Sequence, residues 1–296
     1  MKPVISIIII VKNDWGIANT LDALTYQKSS LPNEIIVVDA SRVGLFESLR
    51  KKYPEVRWFN FAPSVIKNKA SIPEQRNMGI KNALGDIIVF IDANCVPSEN
   101  WLINLTEPII QGRETMTAGS VKAFSPHTHV NLNSADKKGD YLTSSPTINL
   151  AFKKSVWESV GGFDESFSFG SDVDFTWRSI EKGNRIRFVR EAVVTHDWGN
   201  FKDEVKRAFK YGMAKAQLLK KHPKQRWKIT GDNTVPIIYG AWMLGLPLTF
   251  IFWWYPLTII IPIIKNIRQK PFKTTFLNLI YALGFYKKVI LILLHK

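Results

Sequence analysis

A short, fully apolar run that ends in an aspartate limits the folds open to this chain more than any other feature. Residues 87–91 are Ile, Ile, Val, Phe and Ile, with Gly85 before them and Pro97 after them. A β-branched apolar run of this length predicts a strand that is buried on both faces, as in a parallel sheet. Asp92 and Asn94 follow it, at the strand end where open α/β sheets bind ligands. Two such oxygen groups suit a divalent cation, although an aspartate here can equally cap a turn.

Two further apolar runs lead into polar side chains, and together they indicate an α/β fold. Residues 5–11 are followed by Asn13, and residues 34–38 are followed by Asp39. Helix-like stretches lie between the runs, at 17–24, 45–53 and 73–84. This alternation predicts a mostly parallel, Rossmann-like sheet flanked by helices, with right-handed crossovers. In such a sheet Asp39 and Asp92 reach the same edge.

The charge of the chain is divided unevenly, which separates a nearly neutral region from a basic tail. The 296 residues carry a formal charge of +15, with 23 basic and 22 acidic residues up to residue 200 and 17 and 3 after it. Basic residues beside long apolar runs are typical of contact with an anionic membrane. We predict a globular domain at 1–200, a basic amphipathic interfacial segment at 201–234 and membrane-associated or transmembrane helices at 235–296. A nucleic-acid binder would spread its charge more evenly, so we expect no nucleic-acid partner.

The tail contains two apolar stretches that could meet a membrane. Residues 235–264 include no charged residue and are long enough to cross a bilayer, but Pro247, Pro256 and Pro262 could break them into a re-entrant hairpin. Residues 274–294 are interrupted by a lysine pair, so a soluble core helix is an alternative for this weaker stretch. Basic segments lie on both sides of the first stretch, and basic segments usually stay in the cytoplasm. Either the stretch is a hairpin that returns to the cytoplasm, or the basic linker after it is translocated across the membrane. We prefer the hairpin.

Cys95 is the one cysteine in the sequence, and it limits the redox chemistry of the chain. No disulfide can form within the chain, and a reducing compartment is the simpler assumption. Although Cys95 follows the Asp-Ala-Asn stretch, we interpret it as a small buried hydrophobe rather than a reactive thiol.

Six segments, in order, resemble those of family 2 glycosyltransferases of the GT-A fold over roughly residues 4–200. They are the strand and turn at 5–14, Val37-Val38-Asp39-Ala40-Ser41, Arg76-Asn77-Met78-Gly79, Asp92-Ala93-Asn94, Gly161-Gly162-Phe163-Asp164-Glu165 and Gly170-Ser171-Asp172. The resemblance implies an inverting enzyme that takes a sugar from a nucleotide-diphosphate donor, with UDP-sugars favoured. With the apolar tail, it implies a lipid-linked or cell-envelope glycan acceptor and a catalytic domain on the cytoplasmic face of a membrane.

The resemblance also assigns residues to the donor. Asn13, Asp39, Arg76 and Asp92 would bind the nucleotide, with Asp39 accepting a hydrogen bond from a uridine-type base and Arg76 close to nucleotide or phosphate. Without the resemblance, Arg76 could equally lie on a solvated helix face or pair with Glu74.

A divalent cation is the cofactor that the resemblance implies. Asp92, Asn94 and His196 would hold Mn²⁺ or Mg²⁺, which stabilises the diphosphate leaving group as a Lewis acid. An imidazole suits these ions less decisively than a carboxylate does, and a single histidine is as often simply hydrogen-bonded.

Asp172 is the general base that we infer. A carboxylate opposite the leaving group takes the proton of the acceptor hydroxyl, which allows inversion in one step. The residues alone leave a structural alternative, in which Ser171 caps a helix with Asp174 at its third position and Asp172 favours the helix dipole. Asp174 is more simply structural, because it lies four residues before Arg178 on one helix face.

Two residues depart from the family's pattern. Asn94 stands where the family has a second aspartate, which should weaken metal affinity, and Ser171 stands where a glutamate precedes the base. A non-catalytic membrane scaffold derived from a glycosyltransferase is therefore the alternative function. A nucleotidyltransferase is less favoured, because the turn Lys12-Asn13-Asp14 lacks a glycine-rich phosphate loop.

Overall fold

The computed structural model describes residues 4–27, 31–62, 71–124, 140–225, 234–265 and 270–294, together with a short strand at 134–135. The chain divides into two compact units between Trp198 and Gly199. The predicted boundary at residue 200 lies beside this division. The finer division of the tail at residue 234 stays a prediction.

The first unit is built on one sheet. Its strands are β1 (Ile5–Val11), β2 (Asn33–Asp39), β3 (Arg57–Asn60), β4 (Ile87–Ile91), β5 (Cys95–Pro97), β6 (Met116–Ala123), β7 (Ser134–Ala135), β8 (Tyr141–Ser144), β9 (Asn149–Lys153) and β10 (Ile186–His196). Its helices are α1 (Ile17–Thr25), α2 (Glu47–Lys52), α3 (Ile72–Asn82), α4 (Trp101–Ile110), α5 (Lys154–Val160) and α6 (Ser171–Glu181). The strand order is β3-β2-β1-β4-β9-β6-β10-β8-β7, and β5 pairs with β10.

The strand directions confirm a Rossmann-like α/β sheet and show that it is mixed. β1 runs parallel to β2 and β4, and β2 runs parallel to β3. β9 is antiparallel to its neighbours β4 and β6, whereas β10 is parallel to β6. Parallel neighbours need a crossover helix, and α1, α2 and α3 follow the first three strands. No helix lies between β6 and β9 in the described part of the chain, so β9 can enter the sheet antiparallel.

Alternate side chains of the buried strands fill two hydrophobic cores, one on each face of the sheet. Ile9 and Val89 belong to the core that includes side chains of α1 and α4. Ile8 and Phe90 belong to the core that includes side chains of α3, α5 and α6. Every residue of β4 is buried, as the apolar run predicted. The sheet is therefore covered by helices on both faces, and the ends of its strands remain accessible to ligands.

Asn77 on α3 fixes the segment that follows α5. Its amide nitrogen donates to the Phe163 carbonyl (2.9 Å) and to Glu165 Oε1 (3.0 Å). Its amide oxygen accepts from the Phe163 backbone N–H (2.9 Å) and from Trp157 Nε1 (3.0 Å). These four bonds use the full hydrogen-bonding capacity of an asparagine side chain. Two of the motifs that seemed separate in the sequence are therefore one structural unit.

The tail unit is helical. It contains α7 (Phe201–Lys221), α8 (Thr234–Leu244), α9 (Ile260–Lys265), α10 (Pro271–Leu294) and 3₁₀ segments at Pro223–Gln225, Leu246–Phe250 and Tyr255–Ile259. Prolines at the start of two 3₁₀ segments break the uncharged stretch, as the hairpin alternative required. Within the described residues, α10 is the one helix that is long and apolar enough to cross a membrane. The preference for a hairpin over a single span in the first stretch stays a prediction.

Replacing Asn77 by alanine should destabilise the first unit by about 2–4 kcal/mol, because it leaves buried donors and acceptors unsatisfied. Chemical denaturation would measure the loss. Asn82→Ala is the matched control. Among the described residues, the Asn82 amide makes one hydrogen bond, to the Met78 carbonyl on the same helix, and its removal should cost less than about 1 kcal/mol. Equal losses in the two variants would contradict the role given to Asn77.

Candidate active site

The carboxyl ends of three parallel strands form one edge of the sheet, and polar side chains collect there. β1 lies between β2 and β4, and Val11 at the end of β1 pairs with Asp39 at the end of β2. Asn13 follows β1 and Asp92 follows β4. Because neighbouring strands are about 4.8 Å apart, β2 and β4 are separated by roughly 10 Å.

Asp39 is buried and its carboxylate is held on both sides. Its Oδ1 accepts from the Ser41 backbone N–H (2.8 Å), and its Oδ2 accepts from Arg50 Nη2 (3.1 Å). Arg50 also donates to Asn60 Oδ1 (2.6 Å), and its guanidinium lies 4.8 Å from the centre of the Trp58 ring. The negative charge of Asp39 is therefore balanced by a cation that is itself fixed in place.

The turns after β1 and β4 touch each other. Asn13 and Asn94 both have left-handed backbone conformations, with φ of 53° and 65°, which asparagine tolerates better than most residues. The Asn13 backbone N–H donates to Ser41 Oγ (2.7 Å), which ties this turn to the end of β2. A Cβ on Gly16 would lie 2.7 Å from Asn94 Oδ1. The glycine therefore permits the close approach of the two turns.

Three other predicted site residues lie around Asp92. Arg76 from α3, His196 from the end of β10 and Asp172 from α6 all interact electrostatically with its carboxylate. Burial raises the pKa of Asp92 above its ordinary value, and the negative charge of Asp172 raises it further. The positive charges of Arg76 and His196 act in the opposite direction, but the desolvation of the carboxylate is the larger effect.

Arg76 joins α3 to α6. Its side chain is buried, its Nη1 donates to Ser171 Oγ (2.8 Å), and its guanidinium lies 5.4 Å from the centre of the Phe163 ring. Its Nε is also buried and makes no hydrogen bond to the residues described in the structure. The Nε–H of Arg76 is therefore an unused hydrogen-bond donor near Asp92, and an anionic ligand could accept a hydrogen bond from it.

The start of α6 differs from the capping alternative. The residue before the helix is Gly170, whose φ of 80° favours glycine, and no side chain in the described part of the chain caps this end. Ser171 lies inside the first turn, where its hydroxyl accepts from Arg76 instead. Asp172 Oδ1 accepts a hydrogen bond from the backbone N–H of Val173 (2.9 Å). Asp174 is fully buried in an ion pair with Arg178 (2.7 Å), which confirms its structural role.

The predicted metal ligands are close together but few. His196 in β10 pairs with Cys95 in β5, directly after the Asp92-Ala93-Asn94 turn. Among the described residues, no three His, Cys, Asp or Glu side chains are grouped so that they could hold a metal ion. One carboxylate, one amide and one imidazole form an acceptable donor set for Mn²⁺, but they leave coordination positions that other oxygens must fill. The residues therefore fit an ion that is bound together with a diphosphate.

Cys95 behaves as the sequence predicted. The residue is fully buried, and its backbone N–H donates to Thr20 Oγ1 (3.0 Å). Burial raises the pKa of its thiol, so the reactive thiolate is disfavoured.

Sequence reasoning missed Arg50 and the contact between Arg76 and Ser171. Arg50 is one of three consecutive basic residues at the end of α2, and no local signal separates it from its two neighbours. In the described contacts, Asp39 is joined to Arg50 and Ser41, and none joins it directly to the residues around Asp92. The site thus has two centres on one edge, one at β2 and one at β4.

Two family models match the chain. The model described as Glycosyl transferase family 2 matches residues 6–163, and the one described as Glycosyl transferase family group 2 matches residues 87–287. Among curated proteins, the chain is 29% identical to the pre-mycofactocin glycosyltransferase of Mycobacterium tuberculosis over 189 residues, which cover 57% of this chain and 38% of that relative. It is 25% identical to glycosyltransferase AglE of Haloferax volcanii over 232 residues, which cover 73% and 74% of the two chains.

Solved structures share the fold at lower identity. The mannosyltransferase PcManGT from Pyrobaculum calidifontis, in complex with GDP-Man and Mn²⁺, has a TM-score of 0.69 at 17% identity and covers 98% of this chain and 88% of its own. TarS of S. aureus has a TM-score of 0.55 at 15% identity and covers 81% and 47%.

Replacing Asp92 by asparagine should raise the melting temperature at pH 7, because it removes a desolvated charge. The pKa of Asp92 is higher in the folded protein than in the unfolded chain. The stability that its protonated carboxyl contributes is therefore fully present below the ordinary pKa of an aspartate. That stability is lost as the pH rises through the folded-state pKa. The gain of Asp92→Asn should therefore shrink as the pH is lowered towards 4. Thermal unfolding across this pH range would test it, and a gain that is independent of pH would contradict the assignment.

Proposed function

Because the chain belongs to glycosyl transferase family 2, we propose that it transfers a sugar from a nucleotide-diphosphate donor to a lipid-linked or cell-envelope glycan acceptor, with inversion at the anomeric carbon. The observation that carries this proposal is the meeting of Arg76, Asp172 and His196 around Asp92 at the carboxyl edge of the sheet. This combination of one cation, two carboxylates and one imidazole suits the displacement of a diphosphate by a hydroxyl.

The donor would lie along the edge with its nucleoside at β2 and its diphosphate at β4. The spacing of roughly 10 Å between these strands is comparable to the distance from a base to its phosphates. Asp39 would accept a hydrogen bond from an N–H of the base, Asn13 would line the turn between the two centres, and Arg76 would donate to a phosphate oxygen. A UDP-sugar is the donor we favour, and the solved structure with GDP-Man makes a GDP-sugar the first competitor to test.

Asp92, Asn94 and His196 would hold Mn²⁺ or Mg²⁺ when the donor is bound. The ion supplies Lewis-acid stabilisation to the leaving diphosphate. The Mn²⁺ in the PcManGT complex supports this proposal, as does the small number of protein ligands, which leaves positions for phosphate oxygens.

Asp172 would take the proton of the acceptor hydroxyl. It lies in the first turn of α6, and it interacts with Asp92. Asp172 would then be the base and Asp92 the carboxylate on the leaving-group side. This division of roles supports inversion in a single displacement.

A non-catalytic membrane scaffold is the second candidate, and the presence of Asn94 and Ser171 favours it. The hydrogen bond between Arg76 and Ser171 weakens this alternative, because it connects α3 to α6 beside the proposed base. Calorimetry separates the two candidates: a scaffold binds no nucleoside diphosphate in the presence of metal.

Membrane attachment is the remaining part of the proposal. The basic residues of the tail and the apolar helix α10 support association with an anionic bilayer, and we propose that the catalytic domain lies on the cytoplasmic face. Nucleotide-sugar donors are made on that side.

Asp172→Asn should lower kcat for transfer about 10²–10⁴-fold while donor affinity changes little, because the amide cannot accept the proton. Transfer assays with Mn²⁺ across a panel of nucleotide sugars, together with donor calorimetry, would separate the two effects. Asp86→Asn is the matched control, since Asp86 is an exposed carboxylate just before the amino end of β4. Full transfer by Asp172→Asn would rule out this base.

Asn94→Asp should lower the Mn²⁺ concentration for half-maximal activity by about tenfold, because it adds one negative charge to the ligand set. Aspartate also tolerates the left-handed backbone at this position, so the turn should be preserved. Asn33→Asp adds the same charge at the opposite end of β2 and should leave the metal dependence unchanged. An unchanged requirement in both variants would place the ion elsewhere.

A further inference from the structure

The helices α7 and α10 of the tail lie side by side and run in the same direction. Near their amino ends, Lys273 Nζ forms an ion pair with Glu204 (2.7 Å). Further along, Lys287 Nζ lies 5.5 Å from the centre of the Phe209 ring. Because both sequence numbers increase together, the helices are parallel, and they stay in contact over several turns.

The two helices meet at glycines, so their backbones are in direct contact. A Cβ on Gly212 would collide with the Tyr281 carbonyl oxygen, and a Cβ on Gly284 would collide with the Phe209 carbonyl oxygen. Small residues at a helix crossing allow this close approach. α7 and α10 therefore form one paired element. Both helices must lie in the same environment, either across the bilayer or at its surface.

The composition of α7 decides which environment that is. Nine of its 21 residues are charged, seven of them basic and two acidic. A helix with this many charges does not enter the hydrocarbon core of a bilayer, but it is favoured at an anionic surface. α10 passes the length and hydropathy test for a span, yet its partner would have to cross the bilayer with it.

An exposed apolar segment lies elsewhere in the same unit. Five consecutive large hydrophobic residues begin at the last residue of one 3₁₀ segment and stop just before the next. They are Phe250, Ile251, Phe252, Trp253 and Trp254, with exposed fractions of 96%, 72%, 47%, 78% and 49%. Tryptophan favours the boundary between headgroups and acyl chains. Exposed aromatic rings within a strongly basic unit are complementary to an anionic lipid surface.

We propose that the tail binds an anionic bilayer from one side, with the α7–α10 pair in the plane of the interface and residues 250–254 inserted among the lipids. In this arrangement α10 does not cross the membrane. The inference rests on the membrane association proposed above, and it is independent of the sugar and of the base.

Binding to vesicles tests the surface. The purified full chain should sediment with vesicles of phosphatidylcholine and phosphatidylglycerol, and much less with phosphatidylcholine alone. The double variant Trp253→Ser/Trp254→Ser should bind the anionic vesicles at least tenfold more weakly. Tyr26→Ser removes an exposed aromatic ring (81% exposed) from the first unit and should bind as the unmodified chain does. Equal binding by all three proteins would overturn the role of residues 250–254, as would a lipid-free dimer that the double substitution dissociates.

Labelling of single cysteines tests whether α10 crosses. Lys270→Cys lies just before α10 and Lys288→Cys lies 18 residues further, about 27 Å along a helix and close to the thickness of the hydrocarbon core. With the protein bound to sealed vesicles, a membrane-impermeant maleimide added outside should label both cysteines before detergent is added. The unmodified chain measures the background from Cys95, which is buried.

The two experiments fail in distinguishable ways. If either cysteine is labelled only after the vesicles are permeabilised, α10 crosses the membrane and the inference is wrong, while membrane association stands. If the unmodified chain does not bind anionic vesicles at all, membrane association itself is wrong, and the glycosyl-transfer proposal is unaffected.

Discussion

The fold partly buries Asp92 and raises the pKa of its carboxyl, because the charged form of a carboxyl is costly to desolvate. Arg76 and His196 compensate part of that cost, while Asp172 adds to it. The three neighbours come from a helix, a strand end and a second helix that are far apart in the sequence, so only the complete sheet can assemble them. The site therefore depends on the strand order. The unfavourable placement of two carboxylates close together persists because the whole first unit is stable.

Local periodicity was sufficient to predict the part of the fold that is buried. The apolar runs at β1, β2 and β4 were recognisable because strands covered on both faces need hydrophobic residues at every position. The Asp174–Arg178 pair follows from the spacing of four residues on a helix. The strand ends then indicated which polar residues share an edge, because parallel strands finish on the same side.

Contacts between distant segments were beyond the reach of the sequence. Nothing local distinguishes Arg50 from the two lysines after it, and only the position of Asp39 in the adjacent strand gives it a role. Ser171 resembled a helix cap because serine commonly is one, but the neighbouring Gly170 takes that position and frees the hydroxyl for Arg76. The antiparallel insertion of β9 was likewise hidden, since strand direction depends on connections rather than on composition.

If the base of the donor lies at β2, as proposed above, the ion pair between Asp39 and Arg50 would affect which nucleotide is selected. A base that arrives at β2 meets a carboxylate already engaged by a guanidinium held over Trp58, rather than a bare negative charge. Long-range attraction would therefore contribute little to base binding, and discrimination between bases would depend on whether the base can share or exchange those hydrogen bonds. Asp39 and Arg50 already satisfy each other's hydrogen bonds. A base of the wrong hydrogen-bonding pattern would bind weakly, because it would leave one of these two side chains unpaired.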